Sequence, residues 1–450
     1  MSKLSRRKFI ATAGVTALST VAIHGCAGPS ATESTSSATS PSPKSDTTAT
    51  SSTTTTTSTA ITPEVTTAKL GFIALTDASP LIIAKEKGFF EKYGMKDVQV
   101  VKQASWGTTR DNIVLGSEGG GIDGAHILTP MPYLISEGKV TNGKKVPMYI
   151  LARLNINGQG ISVANDFKEA KIGLKNDKLK EVFAKVKAGG KDVKCAVTFP
   201  GGTHDLWMRY WLAANGINPD VDVSTIVVPP PQMVANMKAG NMQAFCVGEP
   251  WNARLVAQQS GYTALVTGEL WKDHPEKSLA LRADWVDKNP KAAQALLMAV
   301  MEAQVWCDKP ENKEEMCKIV GADKWLKVPP AEILGRLQGK VDYGDGRTAE
   351  IPDISMKFWR DNASYPFKSH DLWFVVEDMR WGYFPANTDA KKLVDAVNRE
   401  DIWQAAAKAL KLEADIPKST SRGVETFFDG VKFDPEKPDE YLKGLKIKKA

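Results

Sequence analysis

The chain has 450 residues, 42% of them hydrophobic, with 58 basic against 52 acidic side chains. Setting aside Lys3, Arg6, Arg7 and Lys8 of the N-terminus leaves 54 basic residues and a charge of +2. No basic stripe interleaved with aromatics stands out, which argues against a nucleic-acid partner. No apolar run of spanning length follows residue 26, so membrane contact would rest on other means.

The first element is a leader. Ser5-Arg6-Arg7-Lys8-Phe9-Ile10 reads as a twin-arginine export signal, followed by a short Ala/Thr/Gly-rich apolar run ending at Ile23-His24-Gly25-Cys26. A small residue directly before a cysteine resembles a bacterial lipobox, which would place a diacyl anchor on Cys26 after removal of residues 1–25. The competing reading is a cysteine that merely follows a leader. Residues 26–67 are almost entirely Ser, Thr, Ala and Pro. Such a segment buries nothing that offsets the entropy of ordering it, and reads as a lipidated, disordered tether. A coil of this length spans roughly 35 Å. An exported, anchored and mobile body suits solute capture.

From residue 68 the pattern alternates strand and helix. Ala68–Leu75 predicts a strand, Thr76-Asp77-Ala78-Ser79 a loop, and Pro80–Tyr93 a helix closed by Gly94, with proline at its start and glycine past its end. Val98–Gln103, Ile122–Ile127, Met148–Arg153 and Gly160–Val163 predict further strands, with a short helix over Thr108–Leu115. Cys195–Phe199 is a strand running into a helix that starts near Thr203 and ends at Asn215-Gly216. Val223–Val228 and Ala244–Gly248 are strands around a helix at Pro231–Met237, and Pro250 opens the next helix. This is an α/β pattern with mostly parallel sheets. After Pro290 long helices dominate, over Lys291–Trp306 and Ala390–Leu410. Trp306, Trp359, Trp373, Trp381 and Trp403 read as packing residues.

Enzyme signatures fail. G-x-S-x-G, H-E-x-x-H and Walker A sequences are all missing. Gly119-Gly120-Gly121-Ile122-Asp123-Gly124 matches G-x-G-x-x-G by letter but follows a helix and opens a strand, so it reads as a turn. Asp342-Tyr343-Gly344-Asp345-Gly346 lacks the further acids of a calcium loop and also reads as a turn. After Cys26, the remaining Cys195, Cys246, Cys307 and Cys317 form no zinc-ligand spacing. Either a Cys307–Cys317 disulfide or four free core thiols fits the sequence. No metal and no cofactor is expected.

Two junctions carry chemistry. Phe199-Pro200-Gly201-Gly202-Thr203-His204-Asp205 ends a strand, opens a loop and starts a helix. Thr203 sits where an N-cap belongs, and a helix N-terminus attracts anions. His204 in the first turn can donate toward the same point; the plainer reading is a capped helix with a solvent-facing His. Val247-Gly248-Glu249-Pro250-Trp251 repeats the strand–glycine–helix arrangement with an accessible N–H at Gly248, glycine as mere punctuation being the alternative.

Pro80-Leu81-Ile82-Ile83-Ala84-Lys85-Glu86-Lys87-Gly88-Phe89-Phe90 resembles the first-helix signature of solute-binding proteins of the nitrate, sulfonate and taurine type. Gln103–Arg110, Gly121–His126, Asn157–Gly160, Pro200–Asp205, Gly248–Trp251, His274–Lys277 and Ser421–Gly430 are similar to the nitrate-binding lipoproteins of cyanobacterial ABC importers. The resemblance implies a periplasmic binding protein type II-like C-clamp: two α/β lobes around a ligand cleft. The first crossing is expected near Val163 and the return near Lys277, giving lobe I as 68–163 plus 278–450 and lobe II as 164–277. It implies nitrate contacts at Trp106, Gln159, His204, Gly248 and Lys277. Nitrate stays ionised and only accepts hydrogen bonds, so a site of donors is expected. The implied role is a high-affinity nitrate, and with it nitrite, binding subunit of an ABC importer, not an enzyme. It would be lipid-anchored on the periplasmic side of the inner membrane and serve permease and ATPase subunits.

The rival is the bicarbonate-binding paralogue, which resembles this chain but has a glutamate at the position of Lys277 and is associated with calcium. Lys277 would leave bicarbonate's O–H unpartnered and repel the calcium, at a cost of about 1–3 kcal/mol for the unpaired group. A sulfonate-binding subunit and an exported enzyme related to thiamine-precursor synthesis are the remaining alternatives.

Overall fold

A computed structural model describes residues 61–449. The leader, Cys26 and nearly all of the expected tether lie outside the described residues.

Two five-stranded sheets organise the fold. The first has the order β2 (Asp97–Lys102), β1 (Thr67–Phe72), β3 (Gly124–Leu128), β10 (Lys277–Arg282), β4 (Met148–Arg153). The second has the order β7 (Ser224–Val227), β6 (Lys194–Val197), β8 (Ala244–Gly248), β5 (Gln159–Val163), β9 (Tyr262–Val266). β3, β5, β8 and β9 are buried on both faces, which is why they do not show the alternation of a strand with one solvated face. In each sheet four strands run the same way and one opposes them. β10 is antiparallel to β3 and β4, and β5 is antiparallel to β8 and β9. Each opposing strand is the one the chain enters as it crosses from the other sheet.

That observation moves one boundary. Expected to close the first lobe at Val163, β5 instead pairs wholly within the second sheet, so the chain crosses over residues 154–158. The two crossing segments run side by side: Asn157 N–H donates to His274 O (3.0 Å) and Leu154 N–H to Lys277 O (2.7 Å). The chain returns to the first sheet at Lys277, the first residue of β10.

Helices broke where local chemistry intervenes. The expected helix over 80–93 runs Ser79–Glu86 and resumes at Phe89–Lys92, because Gly88 adopts φ +70° and interrupts it. The stretch 390–410 divides into Ala390–Val397 and Glu400–Ala409, with Asn398 Nδ2 donating to Pro366 O and Asp371 Oδ2. The glycine-rich turn before β3 is a turn: a Cβ at Gly121 would lie 2.0 Å from Asn112 O. Cys195, Cys246, Cys307 and Cys317 are all buried free thiols.

The helices after residue 290 are not confined to the first sheet. Helix Lys368–Arg380 reaches the first sheet through Asp371, which accepts from Arg153 Nη2 (2.6 Å) and Tyr133 Oη (2.7 Å). Two residues along, Trp373 stacks on Trp207 of helix Thr203–Ala214, which follows β6 (centroids 5.0 Å apart, planes at 17°). Trp271 and Phe427 close the same aromatic cluster. Stacked aromatic pairs add about 0.5–1.5 kcal/mol each beyond area burial. The C-terminal helices therefore tie the two sheets together.

Candidate functional site

The ends of both sheets that face the crossing segments converge on one buried cluster. Lys277 opens β10 and is 0% exposed. Its ammonium lies 3.0 Å from Asp77 Oδ2 and 2.8 Å from Glu276 Oε1. It is also 3.5 Å from both Gln159 Oε1 and His204 Nε2. Gln159 opens β5, and its amide Nε2 donates to Asp77 Oδ2 (3.1 Å). His204 Nε2 lies 2.8 Å from Gln159 Oε1, and His204 Nδ1 lies 2.6 Å from Thr198 Oγ1. Gly248 ends β8 opposite Gln159. A Cβ there would come 2.5 Å from Gln159 Oε1 and 3.1 Å from Asp77 Oδ2, so only glycine lets the strand approach this closely.

Trp106 joins through an intermediary. It is the first residue of helix Trp106–Leu115, capped by Ser105 Oγ accepting from Thr108 N–H (3.1 Å). Its ring centroid is 5.4 Å from that of His126, and His126 Nε2 is 2.6 Å from Asp77 Oδ1. The Trp106 indole N–H is fully buried without a hydrogen-bond partner in the protein, as are Thr76 Oγ1 and His126 Nδ1. A buried unpaired donor costs about 1–3 kcal/mol, so the Trp106 N–H calls for an acceptor from outside the chain. The segments that follow β1 and β8 also touch here: Thr76 N–H donates to Glu249 O (2.7 Å) and Trp251 Nε1 to Ala74 O (2.9 Å).

The profile of the NMT1-like family matches residues 61–321. The chain belongs to the NMT1-like family. The nitrate/nitrite binding protein NrtA of Synechocystis sp. is 62% identical, over 99% of this chain and 98% of that protein. The bicarbonate-binding protein CmpA of Synechococcus elongatus is 46% identical over 99% of each. The crystal structure of the periplasmic nitrate-binding protein NrtA from Synechocystis is similar with a TM-score of 0.84 and 66% identity, covering 86% of this chain and all of that one.

In this NMT1-like protein the expected residues Gln159, His204, Gly248 and Lys277 meet, and Trp106 abuts them through His126. Three features depart from expectation. The cluster is not made of donors alone, because Asp77 and Glu276 sit in it. Every carboxylate oxygen is nevertheless taken: Asp77 by His126, Lys277 and Gln159, and Glu276 by Lys277, Thr203 Oγ1 and Trp207 Nε1 (2.7 Å). Thr203 is not the N-cap of its helix. Gly202 holds that position and the Thr203 hydroxyl is spent on Glu276. Nor is the amide of Gly201 in the preceding loop open to an anion, since the Asp205 carboxylate accepts from it (2.9 Å).

Electrostatics follow from burial. Burial alone would raise the Asp77 pKa, but Lys277 and His126 overcome it and hold the carboxyl well below its usual range. Burial opposes the charge on Lys277, yet Asp77 and Glu276 outweigh it and the pKa rises, so the ammonium persists. Burial lowers His204 far below its ordinary value and Lys277 adds to the effect, leaving a neutral ring. Among the described residues no group of three or more His, Cys, Asp or Glu is placed to hold a metal.

Asp77, Thr76, His126 and Glu276 were missed by the sequence reading. Asp77 lies in the loop leaving the first strand, where open α/β sheets place ligands, and that position was the available signal. A surface hollow of about 380 Å³ lined by Leu115, Ser117, Arg282 and Trp285 shares no residue with the cluster.

Proposed function

We propose that this chain is the nitrate-binding subunit of an ABC importer, taking nitrate, and with it nitrite, between its two lobes and delivering it to a membrane permease. The lobes are residues 61–154 with β10, and 158–274, joined by the crossing segments and tied by the C-terminal helices. The observation that carries the reading is the buried ammonium of Lys277 in a cluster that Trp106, with an unpartnered N–H, joins through His126. A planar monoanion that only accepts hydrogen bonds suits that pair. The names of the relative at 62% identity and of the similar crystal structure agree with it. Trp106, Gln159, His204, Gly248 and Lys277 are the proposed ligand contacts, and the protein performs no catalysis. Since the cluster is sealed, the anion enters as the lobes part at Thr76–Glu249 and Trp251–Ala74. Cys26 is the proposed lipid anchor, holding the protein on the periplasmic face of the inner membrane.

Bicarbonate is the second reading, because CmpA is also similar along the whole chain. Lys277 weighs against it: Asp77 and Glu276 are already engaged by its ammonium and by other donors, whereas a bicarbonate O–H needs an acceptor of its own. Calorimetric titration of the protein with nitrate, and with bicarbonate with and without calcium, separates the two. Nitrate binding without calcium is expected. Silence toward nitrate together with calcium-dependent bicarbonate binding would overturn the proposal.

A further inference from the structure

We propose that the site takes up one proton together with its anion, and that His126 carries it. This rests on the anion-binding reading above and concerns how the same site balances charge.

The cluster as it stands holds one cation, Lys277, against two carboxylates, Asp77 and Glu276, with none of the three exposed to solvent. A monoanion entering would leave three negative charges around one positive charge in a weakly screened interior, where repulsion is strong. The neighbouring guanidiniums are engaged elsewhere: Arg153 on Asp371, Arg209 on Asp205 and Asp220, and Arg336 near Glu249. A proton is the charge that can reach the cluster without rearranging it.

Three buried histidines are available to receive it. His204 engages Thr198 with one ring nitrogen and Gln159 with the other. His274 engages Pro275 O (3.0 Å) and Thr267 Oγ1 (2.7 Å). His126 alone of the three has an open nitrogen. Its Nε2 faces Asp77 Oδ1 at 2.6 Å, and an ionised carboxylate only accepts, so the Nε2 proton is fixed there. The neutral ring then presents a lone pair at Nδ1, which is buried and unpartnered. An anion's oxygen would be repelled by that lone pair. Protonation turns Nδ1 into an N–H donor beside the Trp106 ring and adds the missing positive charge. The charged groups acting on His126 are Asp77 from the loop after β1, and Lys277 and Glu276 from the start of β10. Its ladder partner on β10 is Leu279, which does not titrate. Burial holds the ring below its ordinary value; a bound anion works in the opposite direction. The balance is simple: protein, anion and one solvent proton give the complex, and no covalent bond other than the new N–H forms.

Nitrate keeps its charge across the working range, so any proton taken up comes to the protein. The full chain is titrated calorimetrically with sodium nitrate at neutral pH in phosphate and in Tris, whose ionisation heats differ widely. The heats are expected to differ by the ionisation heat of about one proton. The affinity is expected to fall about tenfold per pH unit between the free-state and the bound-state His126 pKa, and to level off both below the first and above the second. In His126→Gln, nitrate binding weakens and the buffer dependence disappears. Equal heats in the two buffers with nitrate bound would overturn the proposal, as would proton uptake that survives in His126→Gln. Absence of nitrate binding by the unmutated protein in every buffer would instead overturn the anion reading beneath it.

Discussion

The two sheets are built alike and supply the site with unlike chemistry. Each places an opposing strand fourth in order, and the first residue of that strand points into the cluster: Lys277 on β10 and Gln159 on β5. In each, the loop after a central strand contributes from the start of a helix, with Asp77 after β1 and His204 after β6. The first sheet contributes the formal charges, Asp77, Lys277 and the adjoining Glu276, and the second contributes neutral groups: an amide, a neutral imidazole and a bare glycine. One architecture used twice thus divides attraction from geometry. The charged half sets whether an anion binds, and the neutral half sets its fit.

That division can be broken from either side. Lys277→Glu should have the largest effect. It removes the cation among the buried acids of the cluster, a loss of about 3–5 kcal/mol, so nitrate binding measured by calorimetry should fall by about a hundred-fold to several thousand-fold. Trp106→Phe keeps an aromatic side chain but removes the unpartnered N–H and part of a fully buried indole; a loss of about 1–3 kcal/mol in nitrate binding is expected if that donor meets the anion, together with a lower melting temperature from the cavity left behind. On the neutral side, Thr198→Val removes only the partner of His204 Nδ1, and about 1 kcal/mol of affinity should go. Lys391→Ala, which deletes the exposed pair with Glu436, should leave affinity alone and change stability by under about 0.5 kcal/mol. A Thr198 effect as large as that of Lys277 would erase the division.

Much of the fold was legible because periodicity and punctuation are local. The strands from β1 to β8 and the helix Pro290–Asp308 fall within a few residues of where apolar runs, prolines and glycines place them, whereas β9 and β10 were not read from the sequence. Membership of β5 was not legible, since its sequence is equally apolar in either sheet and only pairing decides. The site was half legible. Gln159, His204, Gly248 and Lys277 announced themselves through resemblance and donor chemistry. Asp77 and His126 did not, because a carboxylate argues against an anion site until its partners are known. Those partners lie 49, 82 and 200 residues away in sequence. The bridging role of the C-terminal helices was equally hidden, since the stack of Trp373 on Trp207 joins segments far apart in the chain.

The central claim is that a monoanion sits between the halves, held by Lys277 and the Trp106 N–H. A crystal structure of the protein grown with nitrate tests it most directly. The account predicts planar density within hydrogen-bonding distance of Lys277 Nζ and Trp106 Nε1, reached also by Gly248 N and the side chains of Gln159 and His204. Nitrate found elsewhere, with the Lys277–Asp77 and Lys277–Glu276 pairs intact and Trp106 Nε1 still unpartnered, would contradict it.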